Sequence, residues 1–297
     1  MGYVSGGQPP LASRKERIDL SNLRELPLGL YEKAISSKLS WKEKLKLAKH
    51  SGFDFVEMNV DGTPERMKRL YSDETVLEVR RAVESTGIPI HTMALTANRI
   101  FPLGSEDAAI RSKGLELVER AICFASKTGI RLVHLAAYDE HGAHRNETTE
   151  AIFFDSMEKC IAFAARHGVI LALETMDTYF MGCCENIMSL CEKIDSPFLQ
   201  CYADVGNLSA SKVDLDKDLR IANRHIVGVH LKDTRPGVYR DVLFGHGTVN
   251  FDTCLDILKK IDYQGFLIAE MWSYDEAQFH SYLKEANEFL RNKLANY

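Results

Sequence analysis

No stretch of this chain approaches the ~18 consecutive apolar residues that a membrane-spanning helix needs, and its N-terminus has no apolar signal core. Its seven cysteines, at 123, 160, 183, 184, 191, 201 and 254, include no C-x-x-C pair. An odd number of thiols set mostly in apolar segments reads as reduced and buried, so the expectation is a cytoplasmic protein. There is no block of Lys and Arg either. The chain has 42 acidic residues against 37 basic ones, a net charge of −5. This argues against nucleic acid, whose binding is driven by clustered cations. A small anion held by a few local cations remains open. The turn after the first apolar run reads Gly29-Leu-Tyr-Glu-Lys33, without the G-x-G-x-x-G of a dinucleotide loop.

What is present is enough apolar material for a large core: 45% of 297 residues. That length suits one α/β barrel or two ordinary domains. Residues 1–25 stand apart as a leader, disordered or peripheral, with three Gly and two Pro in the first ten positions. From residue 26 one phrase recurs: an amphipathic segment, a Gly, then a short apolar run with a polar residue near its end. The Gly positions are 52, 87, 129, 168 and 265, and each is expected to close a helix in the left-handed conformation. Helix starts are expected at Ser40 (a capping box with Glu43), Ser72, Ser105 and Asn250. The apolar runs lack clean alternation, as strands buried on both faces do. They predict strands near 28–31, 53–58, 89–95, 130–136, 169–174, 199–204, 226–231 and 266–271. Eight alternating units with no linker-like break fit a single-domain α/β fold, a (β/α)8 TIM barrel over 26–297, better than an open sheet.

Four of the runs end in metal-competent groups: Glu174, Asp204, His230 and Glu270. A charged group at the tip of a buried strand needs a partner. On a barrel these four tips belong to strands five to eight and share the C-terminal face, where active sites lie. Three carboxylates and one imidazole suit one divalent ion, Mn2+, Mg2+, Co2+ or Zn2+. Such an ion on a carbonyl and a neighbouring hydroxyl would acidify the C–H between them. Glu174 and Glu270, from strands separated by two others, could then act as an acid/base pair. The pattern leaves epimerisation, aldose–ketose isomerisation and hydrolysis open.

Longer phrases narrow this. They are Pro27-Leu-Gly-Leu-Tyr-Glu-Lys-Ala34, Gly52-Phe-Asp-Phe-Val-Glu-Met58, Arg99-Ile-Phe-Pro-Leu-Gly-Ser-Glu-Asp107, Asp204-Val-Gly-Asn-Leu-Ser-Ala210, His230-Leu-Lys-Asp-Thr-Arg-Pro-Gly237 and Ala269-Glu-Met-Trp-Ser273. With them the chain resembles the xylose isomerase-like barrels, a group that includes endonuclease IV and the ketose 3-epimerases. Within that group it resembles the L-ribulose-5-phosphate (L-xylulose-5-phosphate) 3-epimerases of bacterial L-ascorbate use. The resemblance implies that Glu174, Asp204, His230 and Glu270 bind the metal and that Glu174 and Glu270 move protons through an enediolate. It implies a ketopentose 5-phosphate as substrate, inversion at C3 and a homodimer. Related sugar epimerases carry a His three residues after the Asp ligand. Asn207 stands there in this chain, which makes unphosphorylated ketohexoses a poorer fit.

A phosphate needs donors. Lys33, Arg99, Lys232 and Arg235 are the candidate cations, with backbone amides around Gly245-His-Gly247. Barrels often hold phosphate in the loops after strands seven and eight. Glu57, His91 and His134 are expected at strand tips as substrate contacts or satisfied structural groups. Asp233 and Asp177, three residues after metal ligands, are expected to support them. The alternatives are a ketose–aldose isomerase on the same site, an endonuclease IV-like nuclease, and a sugar-binding barrel without catalysis.

Overall fold

In a computed structural model, which describes residues 22–140, 146–273 and 278–297, the apolar runs form eight parallel strands. They are β1 (Leu28–Tyr31), β2 (Phe55–Val60), β3 (Ile90–Leu95), β4 (Leu132–Ala136), β5 (Ile170–Glu174), β6 (Leu199–Asp204), β7 (Ile226–Leu231) and β8 (Phe266–Ala269). Each pairs with the next, and β8 pairs with β1, so the sheet closes into a barrel in sequence order. Around it lie α1 (Trp41–His50), α2 (Pro64–Lys68), α3 (Asp73–Thr86), α4 (Ala108–Thr128), α5 (Glu147–His167), α6 (Cys184–Ile194), α7 (Val205–Ala210), α8 (Leu215–Ile221), α9 (Phe251–Lys260) and α10 (Phe279–Leu294).

The helices begin largely where their side chains can cap them. Ser40 and Glu43 form the expected capping box on α1, and Ser72 and Asn250 cap α3 and α9. The cap of α4 is Asp107 rather than Ser105; Asp107 accepts from the amides of Ala109 and Ile110. Ser105 is instead buried under the loop. Glycines 52, 87, 129 and 168 take positive φ at helix ends. After α9 that conformation falls to Asp262 (φ 56°), not to Gly265.

The barrel buries apolar surface in two places. The main core lies between the strands and the helices and includes Leu23, fully buried. The packed unit therefore takes in residues 22–25, which the sequence reading placed in the leader; positions 1–21 lie outside the described residues. A second cluster fills the barrel interior with Tyr31, Phe55, Ala94, Leu132, Ala172, Tyr202 and Ile268. Large rings there face glycines on neighbouring strands: a Cβ on Gly29 would lie 2.3 Å from the Phe55 ring, and one on Gly228 2.2 Å from Tyr202.

A buried ion cluster braces the chain just beyond β1. Glu32 is fully buried, with Lys44 Nζ at 2.6 Å, Arg69 Nη1 at 2.8 Å and Arg66 Nη1 at 3.2 Å. Burial alone would raise its pKa, but the three cations outweigh burial and hold it at about 2. For Lys44 the balance runs the other way. Burial lowers its pKa even with Glu32 beside it, because one carboxylate is shared among three cations.

Candidate metal centre and active site

Glu174 ends β5, Asp204 ends β6, His230 is the penultimate residue of β7 and Glu270 directly follows β8. One ligand atom from each lies within 4.8 Å of those of the other three, and all four residues are buried. Each side chain is held by its neighbours. Asp204 Oδ1 accepts from the amides of Gly206 and Asn207 at 2.8 and 3.0 Å, capping α7. Its Oδ2 makes no hydrogen bond of good geometry, and neither does Glu270 Oε2. His230 sits between Glu57 at Nε2 (2.6 Å) and Glu174 and Glu270 at Nδ1 (3.0 and 3.4 Å). With Glu57 accepting the Nε2 proton, Nδ1 is the nitrogen that would face a bound ion.

These observations fit a divalent ion. Asp204 Oδ2 and Glu270 Oε2 are buried and share the single Lys232 ammonium, at 2.5 and 2.9 Å, and three crowded carboxylates repel one another. Burial, joined by Glu270 and Glu174, pushes Asp204 up to about 7 although Lys232 opposes it. A dication among them would reverse that balance. A second group, Glu57, His134 and His230, is equally close. The oxygens of Glu57, however, are already taken by Thr92 (2.6 Å), Tyr202 (2.7 Å) and His230. The four-residue set is therefore the better ligand cage.

Lys232, buried in the same place, puts Nζ 2.5 Å from Asp204 Oδ2, 2.9 Å from Glu270 Oε2 and 2.9 Å from Asn207 Oδ1. The Asn207 amide is oriented by donating to the Thr175 carbonyl at 2.9 Å. A cavity of about 280 Å³ opens above the cage. Its lining includes Glu174, Glu270, His230, Asn207 and Lys232, with Lys33, Arg99 and Arg240 among its cations and Tyr31 and Trp272 among its rings.

Not every expected contact reaches this cavity. Lys33 does, paired with Asp61 at 2.7 Å, and so does Arg99, with Asp177 at 3.7 Å. Asp177 also accepts from the Tyr138 hydroxyl. Glu57 lies in mid-strand and works from below, through His230. His91 is not at a strand tip: it is the second residue of β3, at the N-terminal mouth, between Phe55 and Phe266. The register slips there, Val56 facing Ile90 and Glu57 facing Thr92, so His91 occupies an extra position.

Arg235 is turned away, its guanidinium on the His246 carbonyl at 2.8 and 3.1 Å. The amides of Gly245 and Gly247 are not free for a phosphate, since both donate to Asp233 Oδ2 at 2.9 Å. Asp233 thus ties the loop after β7. Sequence reasoning missed Tyr31, Tyr202, Trp272 and Arg240. The Ala269-Glu-Met-Trp phrase carried the signal for Trp272, which lies two residues after a ligand.

The model of the xylose isomerase-like TIM barrels matches residues 45–293. The chain belongs to that family. Among relatives of this barrel, the L-ribulose-5-phosphate 3-epimerase UlaE of Salmonella paratyphi A is 41% identical over 273 residues, covering 92% of this chain and 96% of that protein. UlaE of Escherichia coli (strain SE11) matches to the same extent. Among solved structures, an L-ribulose 3-epimerase superposes with a TM-score of 0.78 at 18% identity, covering 91% of this chain and 95% of its own. The D-allulose 3-epimerase of Methylomonas sp. gives 0.76 at 18% identity, covering 90% and 97%. These two likenesses speak for the fold alone. Kinship with the L-ribulose-5-phosphate 3-epimerases makes this xylose isomerase-like barrel an enzyme of the isomerase class.

Proposed function

We propose that the enzyme interconverts L-ribulose 5-phosphate and L-xylulose 5-phosphate by inverting C3, using one divalent metal held by Glu174, Asp204, His230 and Glu270. The reading rests on the 41% identity to enzymes named for this substrate. The observation that carries it is the pair Glu174 and Glu270, which flank Nδ1 of His230 at 3.0 and 3.4 Å and open on one cavity.

The bound cation supplies Lewis acidity, making the C3–H beside the C2 carbonyl easier to remove. One glutamate takes the proton from C3 and the other returns a proton to the opposite face. Glu57 fixes the tautomer of His230, and Lys232 with Asn207 fixes Asp204 and Glu270. Tyr31, Met176 and Trp272 wall the cavity and limit the entry of water to the carbanion-like centre. The reading includes a cytoplasmic setting, carried by the reduced cysteines, and a role in L-ascorbate use and a homodimer, both carried by the resemblance. Among the described residues, no helix is long and apolar enough to cross a membrane.

The test is turnover of L-ribulose 5-phosphate in D2O. The expected product is L-xylulose 5-phosphate with deuterium at C3, lost on chelation and restored by Mn2+. Glu270→Gln is expected to lower the rate by about 100-fold or more. An aldopentose product would favour the isomerase alternative, and a fully active Glu270→Gln variant would remove the assigned role of that residue.

A further inference from the structure

The N-terminal mouth of a (β/α)8 barrel ordinarily serves stability and is closed by packed side chains. Here that mouth is not filled. A cavity of about 460 Å³ lies there, at the end opposite the ligand cage, among the starts of β4, β5, β7 and β8. Its floor is the lower end of the interior cluster. Leu132 is buried, while Ile170, Val227 and Phe266 stay half-buried. The Phe266 ring is stacked on His91, with centroids 5.1 Å apart at 21°, so it is held at the side of the opening.

Two guanidiniums stand at the rim, Arg131 just before β4 and Arg224 just before β7, and both residues are exposed. Arg131 reaches the Gly168 carbonyl at 3.4 Å, and among the described residues no carboxylate lies within ion-pair distance of either guanidinium. The carboxylate in the lining, Asp262, accepts instead from Gln264 at 3.3 Å. The walls are fixed before any ligand arrives. The buried Tyr263 donates its hydroxyl to the Phe266 carbonyl at 2.7 Å, and His225 Nδ1 lies 3.1 Å from Gln200 Oε1, tying the entry of β7 to β6.

We propose that the N-terminal mouth is a second ligand site, one that takes a small amphipathic anion: a compact apolar body carrying a single carboxylate-type group. The apolar body would sit on Ile170, Val227 and Phe266 and remove their remaining surface from water. The anionic group would meet the arginine rim, where a guanidinium offers a fork of N–H donors matched to paired oxygens. Each feature narrows the class. The apolar floor gives nothing to a strongly hydrated ion such as free phosphate, and the cationic rim disfavours a ligand of positive charge. The site does not depend on the reaction proposed above.

The test uses two fluorescent probes with the same body, 8-anilinonaphthalene-1-sulfonate and N-phenyl-1-naphthylamine, which lacks the sulfonate. Wild type is compared with Arg131→Gln, Arg224→Gln and the double variant, whose folding is checked by its urea midpoint. The sulfonate probe is expected to bind wild type at one site, at least about tenfold more tightly than the neutral probe. The double variant should weaken it by about 10- to 100-fold and leave the affinity of the neutral probe unaltered. Hexanoate should displace the sulfonate probe and hexan-1-ol should not. Equal affinity in wild type and the double variant, no preference over the neutral probe, or displacement by neither or both of the six-carbon compounds would overturn the assignment. An equal loss in Lys33→Met would also overturn it, since the probe would then sit at the opposite mouth, above the ligand cage. If the double variant fails to fold, the two single variants carry the same comparison.

Discussion

His230 serves as a ligand through Nδ1 only if Nε2 carries the proton, and Glu57 decides that. Burial would raise the pKa of Glu57, yet His134 and His230 hold it well below the usual carboxylate range. As a carboxylate it accepts from three donors at once: Thr92, Tyr202 and His230. Glutamine would turn one of those acceptor oxygens into an NH2 facing a donor. Glu57→Gln is therefore expected to fold but to bind Mn2+ about 10- to 100-fold more weakly. Titration calorimetry measures this, and unchanged affinity would refute the tautomer argument.

The four ligands were legible in the sequence because each interrupts an apolar run. Glu57 and His91 were visible as polar residues in such runs, but their depth was not. β2 runs on to Val60, two residues past its expected end, and β3 begins at Ile90, so Glu57 lies in mid-strand and His91 at the start of its strand. Arg235 and Arg240 look alike in sequence. Only the fold of their loop turns one onto the His246 carbonyl and the other into the cavity.

At the scale of the element, strand identity and order were readable because buried parallel strands and capped helices leave different patterns. The cap of α4 was misread for a physical reason. Ser105 and Asp107 are both competent caps, and burial of Ser105 under the loop decides between them. The interior packing was not readable at all, since a glycine in a strand says nothing about which ring it faces. Gly228 on β7 lies against Tyr202 on the neighbouring β6. An added methyl would meet the Tyr202 ring at 2.2 Å, and that ring is fully buried with its hydroxyl on Glu57. It has little room to retreat without breaking that bond. Gly228→Ala is expected to destabilise the fold by about 1–3 kcal/mol, the usual cost of overpacking a core. Urea denaturation would show it as a lower midpoint at unchanged slope, whereas an unaltered midpoint would mean that the ring moves freely.

At the scale of the whole molecule, the two halves of the barrel are held differently. Beyond β1 the chain is braced by the cations around Glu32, a cluster complete within the protein. The tips of β5 to β8 instead converge three carboxylates, with Lys232 as the ammonium among them. Lys232 offsets one of the three negative charges, and the remaining two match one divalent ion. A metal bound there joins four consecutive strands and is absent from the unfolded chain, so it should stabilise the native state by mass action. At a free Mn2+ concentration 100 times its dissociation constant the gain is about 2.7 kcal/mol, which for a domain of this size is a rise in Tm of roughly 4–5 °C. Chelator-treated protein should therefore melt lower than Mn2+-loaded protein by that margin. Asp204→Asn, which weakens the cage, should lose most of the difference. Arg240→Met, at the rim, should keep it. A Tm indifferent to Mn2+ in the wild type would mean that the four strand tips do not form a metal centre, and Lys232 would then be left as their principal counter-charge.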